Sequence, residues 1–172
     1  MKGDNFFMQL AYDQAMKAFN SHEVPIGAVL VDQEGNVIAR GYNQVEKFQT
    51  QTAHAEISVI KKAAKKMDNW RFRGMTLYVT VQPCMMCMGA IYLSRIPKVV
   101  YGVISPKYGF EFNEKVELGI YKNLHTSVQC IDYTPAQRLL QKFFEKKRRN
   151  NENEQGGAAK NKTRSFGKKT RA

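Results

Sequence analysis

The sequence predicts an α/β fold in which a five-stranded mixed β-sheet lies between two layers of helices, an α/β/α sandwich. Three observations support this prediction. Residues 4–20 have the apolar spacing of an amphipathic helix. Two short apolar runs follow, 28–31 and 37–42, and a glycine-containing turn joins them into a hairpin. Beyond the hairpin, helical and strand patterns alternate, which is typical of a sheet covered by helices on both faces.

Each helix is predicted from apolar residues at helical spacing and from a capping residue at its start. Asp4 is positioned to cap the first helix. A second helix is expected at 53–67, with Thr52 as its cap. Pro83 is expected to open a third helix, because proline at the first helical position lacks only an N–H that would have no partner there. Asp4, Thr52 and Pro83 therefore mark three predicted helix starts.

The remaining strands are predicted from short runs rich in Val, Ile, Tyr and Thr. They are expected at 75–81, 98–102 and 127–131. Residues 43–51 are polar and aperiodic, so we expect a loop there. A last helix is expected from residue 134, where a capping-box pattern precedes an apolar face.

Positive charge is concentrated at the C-terminal end of the chain. The formal net charge is +12, but residues 146–172 hold ten Lys or Arg against two Glu, so the rest carries only +4. Such a segment favours a polyanion such as nucleic acid, although a solvated tail without a partner has the same composition. We expect one folded catalytic domain at 1–149 and a basic, disordered tail at 150–172.

The composition also bears on the cellular compartment. The apolar patch near the N-terminus is too brief for a signal peptide, and no stretch is long enough to span a membrane. Three cysteines, two of which belong to the motif described next, are too few for a disulfide framework. A reducing, cytoplasmic location is therefore expected.

Two short stretches carry the chemistry: the sequence HAE at 54–56 and the sequence PCMMC at 83–87. His54, Cys84 and Cys87 offer the nitrogen and sulfur ligands that tetrahedral Zn²⁺ prefers. Three protein ligands leave a fourth position for a water that the metal acidifies, which is the mark of a catalytic zinc. Glu56 is close enough to exchange protons with that water without being a ligand. This pairing of motifs is the known signature of zinc nucleobase deaminases.

Further stretches strengthen the assignment. Over roughly residues 5–149, the chain resembles bacterial-type tRNA-specific adenosine deaminases of the cytidine deaminase-like superfamily. The supporting stretches are EVPIGAV at 23–29, GYN at 41–43, TAHAE at 52–56, PCMMCMGA at 83–90, SRI at 94–96 and VVYG at 99–102. The resemblance implies a cytidine deaminase-like fold and a homodimer that converts the wobble adenosine of a tRNA anticodon loop to inosine.

The resemblance also implies roles for individual residues. The zinc ligands would be the three named above, with one ion per subunit, and Glu56 would move the proton. Asn43, Ala53 and Val29 are expected to bind the substrate. RNA contacts are expected from Lys107, Phe144, Lys146, Lys147, Arg148 and Arg149.

One departure and two alternatives remain at this point. Gln82 stands where the family usually has Glu, which removes a charge beside the cysteine pair. The zinc motif is also compatible with a deaminase of a free base such as guanine or cytosine, and with a catalytically silent zinc-containing RNA-binding subunit. The basic C-terminus favours RNA over a free base. Glu56 favours an enzyme, because a silent site has no need of a base.

Overall fold

The computed structural model describes residues 2–110 and 126–165, with side chains described through residue 150 and at Glu152. Its strands are β1 (Gly27–Val31), β2 (Val37–Tyr42), β3 (Thr76–Val79), β4 (Lys98–Tyr101) and β5 (Ser127–Cys130). Its helices are α1 (Asp4–Asn20), α2 (Val45–Phe48), α3 (Ala55–Met67), α4 (Met85–Leu93) and α5 (Thr134–Ser165), and a 3₁₀ turn spans Gln51–Ala53.

The five strands form one mixed sheet, as predicted, and their order is β2-β1-β3-β4-β5. β1 pairs antiparallel with β2 and β3, whereas β3 pairs parallel with β4, and β4 with β5. The start of β1 therefore lies at the same edge as the ends of the other four strands. We call this the carboxyl edge; it contains Gly27, Tyr42, Val79, Tyr101 and Cys130.

Alternation along β1 divides the core between the two faces of the sheet. Ala28 and Leu30 belong to an apolar cluster with α3 and α4, and Val29 and Val31 belong to a second cluster with α1. All five residues of β1 are buried, as expected for a strand that lies inside a sheet with helices on both faces. We refer to the α3/α4 face and the α1 face below.

The helix starts differ from the predictions in ways that matter for the site. Thr52 does not cap α3: the Thr50 hydroxyl accepts a hydrogen bond from the Thr52 amide at 3.4 Å and closes the 3₁₀ turn, so His54 becomes the N-cap. Pro83 lies before α4, because its carbonyl accepts from the Phe110 amide at 2.9 Å instead of joining the helix.

The predicted cap of α1 is also wrong. Gly3 is the N-cap, and Asp4 lies in the first turn, where its carboxylate accepts from the Tyr78 hydroxyl at 2.7 Å and pairs with Lys98 at 3.4 Å. This carboxylate is engaged with the sheet, so it is not available to the helix N–H groups.

The predicted loop at 43–51 contains α2 and the start of the 3₁₀ turn. α5 continues past residue 150 to Ser165, and no proline follows Pro135 to interrupt it. The division into a domain at 1–149 and a tail at 150–172 stays a prediction. Among the described residues, no helix has the length and apolar character needed to cross a membrane.

Candidate active site

The three predicted zinc ligands converge at the carboxyl edge of the sheet. His54 Nδ1 lies 3.7 Å from Cys84 Sγ and 3.4 Å from Cys87 Sγ, and the three donor atoms all lie within 4.8 Å of one another. His54 and Cys84 are half-buried, and Cys87 is buried. In the described part of the chain, this is the one group of three or more such side chains that could hold a metal ion.

Two helix N-termini position these ligands. His54 is the N-cap of α3 and Cys84 is the N-cap of α4, both in extended backbone conformation. Their carbonyls accept the first helical hydrogen bonds, from the Ser58 and Met88 amides, each at 2.9 Å. Neither side chain caps its own helix. Both side chains are therefore available to bind a metal, while the helical hydrogen bonds fix the backbone positions of the two residues.

Close packing of α3 against the sheet holds the histidine in place. A Cβ at Gly41 of β2 would lie 2.9 Å from the Ala55 carbonyl oxygen and 3.0 Å from the Val59 side chain. Only glycine permits this approach. The first turn of α3 thus rests directly on β2, next to the carboxyl edge.

The donor set fits zinc. One imidazole nitrogen and two sulfurs match the ligands of catalytic Cys₂His zinc sites. With Zn–N near 2.0–2.1 Å and Zn–S near 2.3 Å, a tetrahedral ion holds its nitrogen and sulfur ligands about 3.6 Å apart. The observed separations of 3.4 and 3.7 Å agree with that spacing. Harder cations such as Mg²⁺ prefer oxygen ligands, which this group lacks.

The thiols have unequal acidities. The hydrogen bond from the Cys87 side chain, together with the His54 imidazole, lowers the pKa of Cys84 to about 4 against the opposing effect of burial. The same hydrogen bond, together with burial, raises the pKa of Cys87. The hydrogen bond with Cys84 in turn raises the pKa of His54. Of the two thiols, that of Cys84 therefore ionises more readily, and the thiolate is the form in which cysteine binds a metal.

Glu56 lies two residues after His54, in the first turn of α3, and its side chain is buried with 3% exposure. Burial raises its pKa, and its own backbone amide and the His54 imidazole offset part of that effect. A raised carboxyl pKa favours a group that can both take up and release a proton near neutral pH. Glu56 thus combines the position and the acidity of a proton carrier beside the metal site.

Asn43 lies immediately after β2 at the same edge. Its amide donates to the Ile26 carbonyl at 2.9 Å, and its Nδ2 donates to Glu23 Oε2 at 3.3 Å. The next residue, Gln44, donates its amide to the Ala53 carbonyl at 3.0 Å. The Asn43 segment is therefore fastened to the 3₁₀ turn that precedes His54.

Two of the three predicted substrate-binding residues lie near the ligands, and one does not. Ala53 directly precedes His54 and is half-buried. Val29 is fully buried in the α1-face cluster with Phe7 and Met8. Strand alternation directs Val29 to the face opposite α3 and α4, so it lies away from the ligands, and its predicted role stays a prediction.

Sequence reasoning did not single out Glu23, whose buried carboxylate binds the Asn43 segment. It is 1% exposed, and its carboxylate also accepts from the Glu46 amide at 3.1 Å and the Lys47 amide at 2.7 Å. Its partners are 20 to 24 positions away in the chain. Periodicity and local capping patterns do not reach that far, so the EVP stretch gave no structural signal.

Gln82 holds the loop that follows β4 against the cysteine turn. Its amide donates to the Val103 carbonyl at 2.8 Å, and its Oε1 accepts from the Ser105 amide at 3.0 Å. A Cβ at Gly109 would lie 2.1 Å from the same oxygen. Gln82 is therefore a loop anchor. A Cβ at Gly109 would also lie 2.6 Å from the Ser105 carbonyl oxygen, so the backbone of this loop favours glycine there.

The predicted RNA-contacting residues lie at the surface. Lys107 is exposed in the anchored loop, with its Nζ 5.1 Å above the Tyr108 ring. Phe144 is 41% exposed on α5, and the four basic residues 146–149 are all exposed. Their roles stay predictions.

The amino-terminal part of the chain matches a family model. Residues 1–103 match the cytidine and deoxycytidylate deaminase zinc-binding region. The chain belongs to this deaminase family. Zinc is the metal of the family region, and the His54, Cys84 and Cys87 group is placed to hold it.

Individual relatives give a more specific indication than the family model. A tRNA-specific adenosine deaminase of Bacillus subtilis is 50% identical over 109 residues, which cover 63% of this chain and 67% of the relative. A structure solved in studies of A-to-I editing by tRNA:A34 deaminases is 38% identical, with a TM-score of 0.69, over 79% of this chain and 99% of the other. A guanine deaminase of Bacillus subtilis is 35% identical, with a TM-score of 0.56, over 60% and 66% of the two chains.

Proposed function

We propose that this protein is a zinc-dependent enzyme that deaminates the wobble adenosine of a tRNA anticodon loop to inosine. The observation that carries the proposal is a buried glutamate directly beside a His/Cys/Cys donor group. The relatives named as tRNA-specific adenosine deaminases support the choice of substrate. They share 38–50% identity with this chain, and the part of the chain that matches the family model, residues 1–103, contains the site.

His54, Cys84 and Cys87 would hold the metal ion. When bound, zinc would supply Lewis-acid activation of water at neutral pH. Glu56 takes a proton from the attacking water as the water oxygen bonds to C6 of adenine. It delivers that proton to N1. It then takes the remaining proton from the C6 hydroxyl and delivers it to the amino group, as the C6–N6 bond breaks, ammonia leaves and the C6 carbonyl of inosine forms. Asn43 and Ala53 line the substrate side of the site.

The substrate adenosine has to leave its stack to reach this edge. An adenosine in an anticodon loop is already unpaired, so its extrusion costs less than extrusion from a duplex. This difference favours a loop over double-stranded RNA as the substrate.

The path of α5 supports an RNA-binding role for its basic residues. The Tyr133 amide, just before α5, donates to the Gly102 carbonyl at 2.7 Å, directly after the end of β4. Ten residues further on, the Phe143 ring lies 6.4 Å from the Phe19 ring near the end of α1, which precedes β1. α5 therefore runs along the carboxyl edge, and residues 146–149 continue the helix in the same direction. Together with Lys107, they offer positive charge to the phosphates around the target.

The protein acts as a homodimer in this proposal. On α4, Met86, Gly89, Ala90 and Leu93 form an apolar stripe at helical spacing, with Met86 38% and Leu93 57% exposed. A Cβ added at Gly89 would meet no atom within 4 Å. A helix that is apolar on its outer side as well as its inner side is usually covered, and a second copy of the chain is the occupant we propose.

A cytoplasmic location is also part of the proposal. The three cysteines are free thiols, and two of them belong to the zinc group. A reducing compartment keeps such thiols available for the metal.

A guanine deaminase is the second candidate, favoured by the 35% identity to the Bacillus subtilis enzyme. The deciding experiment incubates the zinc-loaded protein with a tRNA carrying adenosine at the wobble position and, separately, with guanine and cytosine. Nucleoside mass spectrometry reads inosine, and the same tRNA with guanosine at the wobble position is the matched control. We expect inosine from the first tRNA alone and no reaction with the free bases. Turnover of guanine without inosine would overturn the proposal.

A further inference from the structure

Glu23 and Asn43 form a buried polar pair next to the site. Both side chains are nearly inaccessible, with 1% and 4% exposure. An ionised carboxylate only accepts hydrogen bonds, whereas an asparagine amide has a donor end and an acceptor end. The contact from Asn43 Nδ2 to Glu23 Oε2 therefore decides which end of the amide faces Glu23.

The other end of the Asn43 amide has no protein partner. Among the described residues, Asn43 makes one side-chain hydrogen bond, through Nδ2. No buried side-chain nitrogen or oxygen in the described part of the chain lacks a partner. Asn43 Oδ1 is therefore reachable from solvent, although the rest of the residue is buried. This oxygen therefore keeps its acceptor capacity unused within the described part of the protein.

Glu23 also fixes the backbone beyond Asn43. Its carboxylate accepts from two consecutive amides, those of Glu46 and Lys47, at 3.1 and 2.7 Å. The local N-cap residue of α2, Gln44, makes no side-chain capping bond. Glu23 thus replaces the local cap, and three donors converge on one carboxylate. Charge-assisted hydrogen bonds of this kind are stronger than neutral ones.

We propose that Glu23 is a positioning residue that orients the Asn43 amide so that Oδ1, and not Nδ2, faces the nucleoside. Asn43 then accepts a hydrogen bond from an N–H or O–H donor of the substrate. This inference rests on the proposed deaminase function and assigns to Glu23 a role that acts through Asn43.

Glu23→Gln is the most specific substitution for this test, because it changes the hydrogen-bonding groups but keeps the size of the side chain. The single carbonyl oxygen of glutamine cannot serve three donors, and its NH₂ group can pair with Asn43 Oδ1 and turn the amide around. The test is a double-mutant cycle of Glu23→Gln and Asn43→Ala in the zinc-loaded, full-length protein, with kcat and KM measured on the wobble-adenosine tRNA.

We expect Glu23→Gln to lower kcat/KM by about tenfold or more when Asn43 is present, since small misplacements of substrate contacts have effects of up to about 100-fold. In the Asn43→Ala background, the same change should lower kcat/KM by less than about threefold, because residues that act through each other are not additive. Equal fold losses in both backgrounds, or no loss beside Asn43, would overturn the proposal.

Asp4→Asn is the matched control. It makes the same change from carboxylate to amide in a group that also accepts a tyrosine hydroxyl and pairs with a lysine, but on the α1 face. Its kcat/KM should equal that of the unaltered protein. If Glu23→Gln does not give folded protein by circular dichroism, Glu23→Asp replaces it in the cycle, because the shorter carboxylate cannot span the same three donors.

A second readout does not depend on activity. The side-chain NH₂ resonances of Asn43, identified by their loss in Asn43→Ala, should shift in Glu23→Gln and stay unchanged in Asp4→Asn. Unchanged resonances in Glu23→Gln would overturn the positioning role. If the unaltered protein formed no inosine, the proposed function alone would fail, and a resonance shift would still support the orientation of Asn43 by Glu23.

Discussion

The two faces of the sheet are built from the same strands, but the polar groups on them have different bonding roles. On the α3/α4 face, two helix N-caps bring His54 and Cys84 to the carboxyl edge, beside the buried Glu56. On the α1 face, the polar group of Asp4, Tyr78 and Lys98 joins the start of α1 to β3 and β4. Both groups contain charged side chains, but only the first can hold a metal.

The difference shows what makes a polar group functional in this fold. The bonds of Asp4 are satisfied within the protein, by a tyrosine hydroxyl at 2.7 Å and a lysine at 3.4 Å. The zinc group offers lone pairs to a central ion, and Asn43 keeps one acceptor for a ligand. A site is therefore recognised by bonding capacity that the protein leaves for another molecule, and substitutions on the two faces should separate chemistry from stability.

The largest effect is expected at the metal. Cys87→Ser replaces a soft ligand with a hydroxyl that binds zinc weakly, so the zinc content should fall from one ion per chain to below about 0.1, with activity falling in parallel. Metal analysis by mass spectrometry after desalting measures the loss. Cys130→Ser, which alters the half-buried cysteine of β5, is the control and should keep its zinc. Full zinc in Cys87→Ser would remove this residue from the site.

Two methionines on opposite faces give a matched pair for stability. Met8 in α1 and Met88 in α4 are both fully buried. Each change to alanine should lower the free energy of unfolding by about 2–5 kcal/mol, measured by urea denaturation. Met88→Ala should also weaken zinc binding about tenfold, because it loosens the helix turn that carries Cys87. If Met8→Ala weakened zinc as much, the faces would not be independent.

The basic residues of α5 test whether a helix of the α1 face takes part in function. Alanine at positions 146–149 should lower kcat/KM on tRNA about tenfold and reduce the slope of log kcat/KM against log salt by about 2–3. The matched control replaces the four exposed lysines of α3 (Lys61, Lys62, Lys65 and Lys66), which removes the same charge. An equal effect in the control would mean that overall charge, and not position, governs RNA binding.

The smallest effect is expected at Tyr78. Tyr78→Phe removes its hydrogen bond to Asp4 and should cost about 1 kcal/mol of stability with unchanged zinc and activity. Burial and Asp4 raise the pKa of Tyr78 above its ordinary value. The stabilisation by the neutral hydroxyl is therefore complete below pH 10 and is lost as the pH rises towards the folded value. Urea titrations of both proteins between pH 8 and 11 should show their stabilities converging above about pH 10; a constant difference would contradict this.

Much of the architecture could be predicted because it depends on local pattern. The five strands and the order of the main helices follow from period-2 and helical spacing, and the zinc group follows from the C-x-x-C pair and the distant H-x-E triplet. Each of these motifs is only a few residues long, but its residue types are those that a zinc site requires. The sequence also predicts the ligands at helix starts, but it predicts Thr52 as the cap of α3 and Pro83 as the first residue of α4, whereas His54 and Cys84 are the N-caps.

The differences between the sequence predictions and the structure have a common physical cause. Each depends on contacts between residues that are far apart in the sequence. Asp4 bonds to Tyr78, 74 residues away, so it does not cap α1. Val29 faces α1, and the face that a buried strand residue takes cannot be told when both neighbours are apolar. Glu23 reaches Asn43 and two amides of α2 across 20 to 24 positions. Each of these contacts requires the sheet to exist first.

The most direct test of the α3/α4 face as the catalytic face is Glu56→Gln, which keeps the volume of the side chain but removes its ability to carry a proton. Zinc content and inosine formation should be measured on the same sample, with the wobble-adenosine tRNA as substrate. We expect one zinc per chain and a loss of kcat of at least about 100-fold, the range for a general acid–base group. A zinc-loaded Glu56→Gln protein that forms inosine within about threefold of the unaltered rate would contradict the account, because the loss expected for such a group is at least about 100-fold.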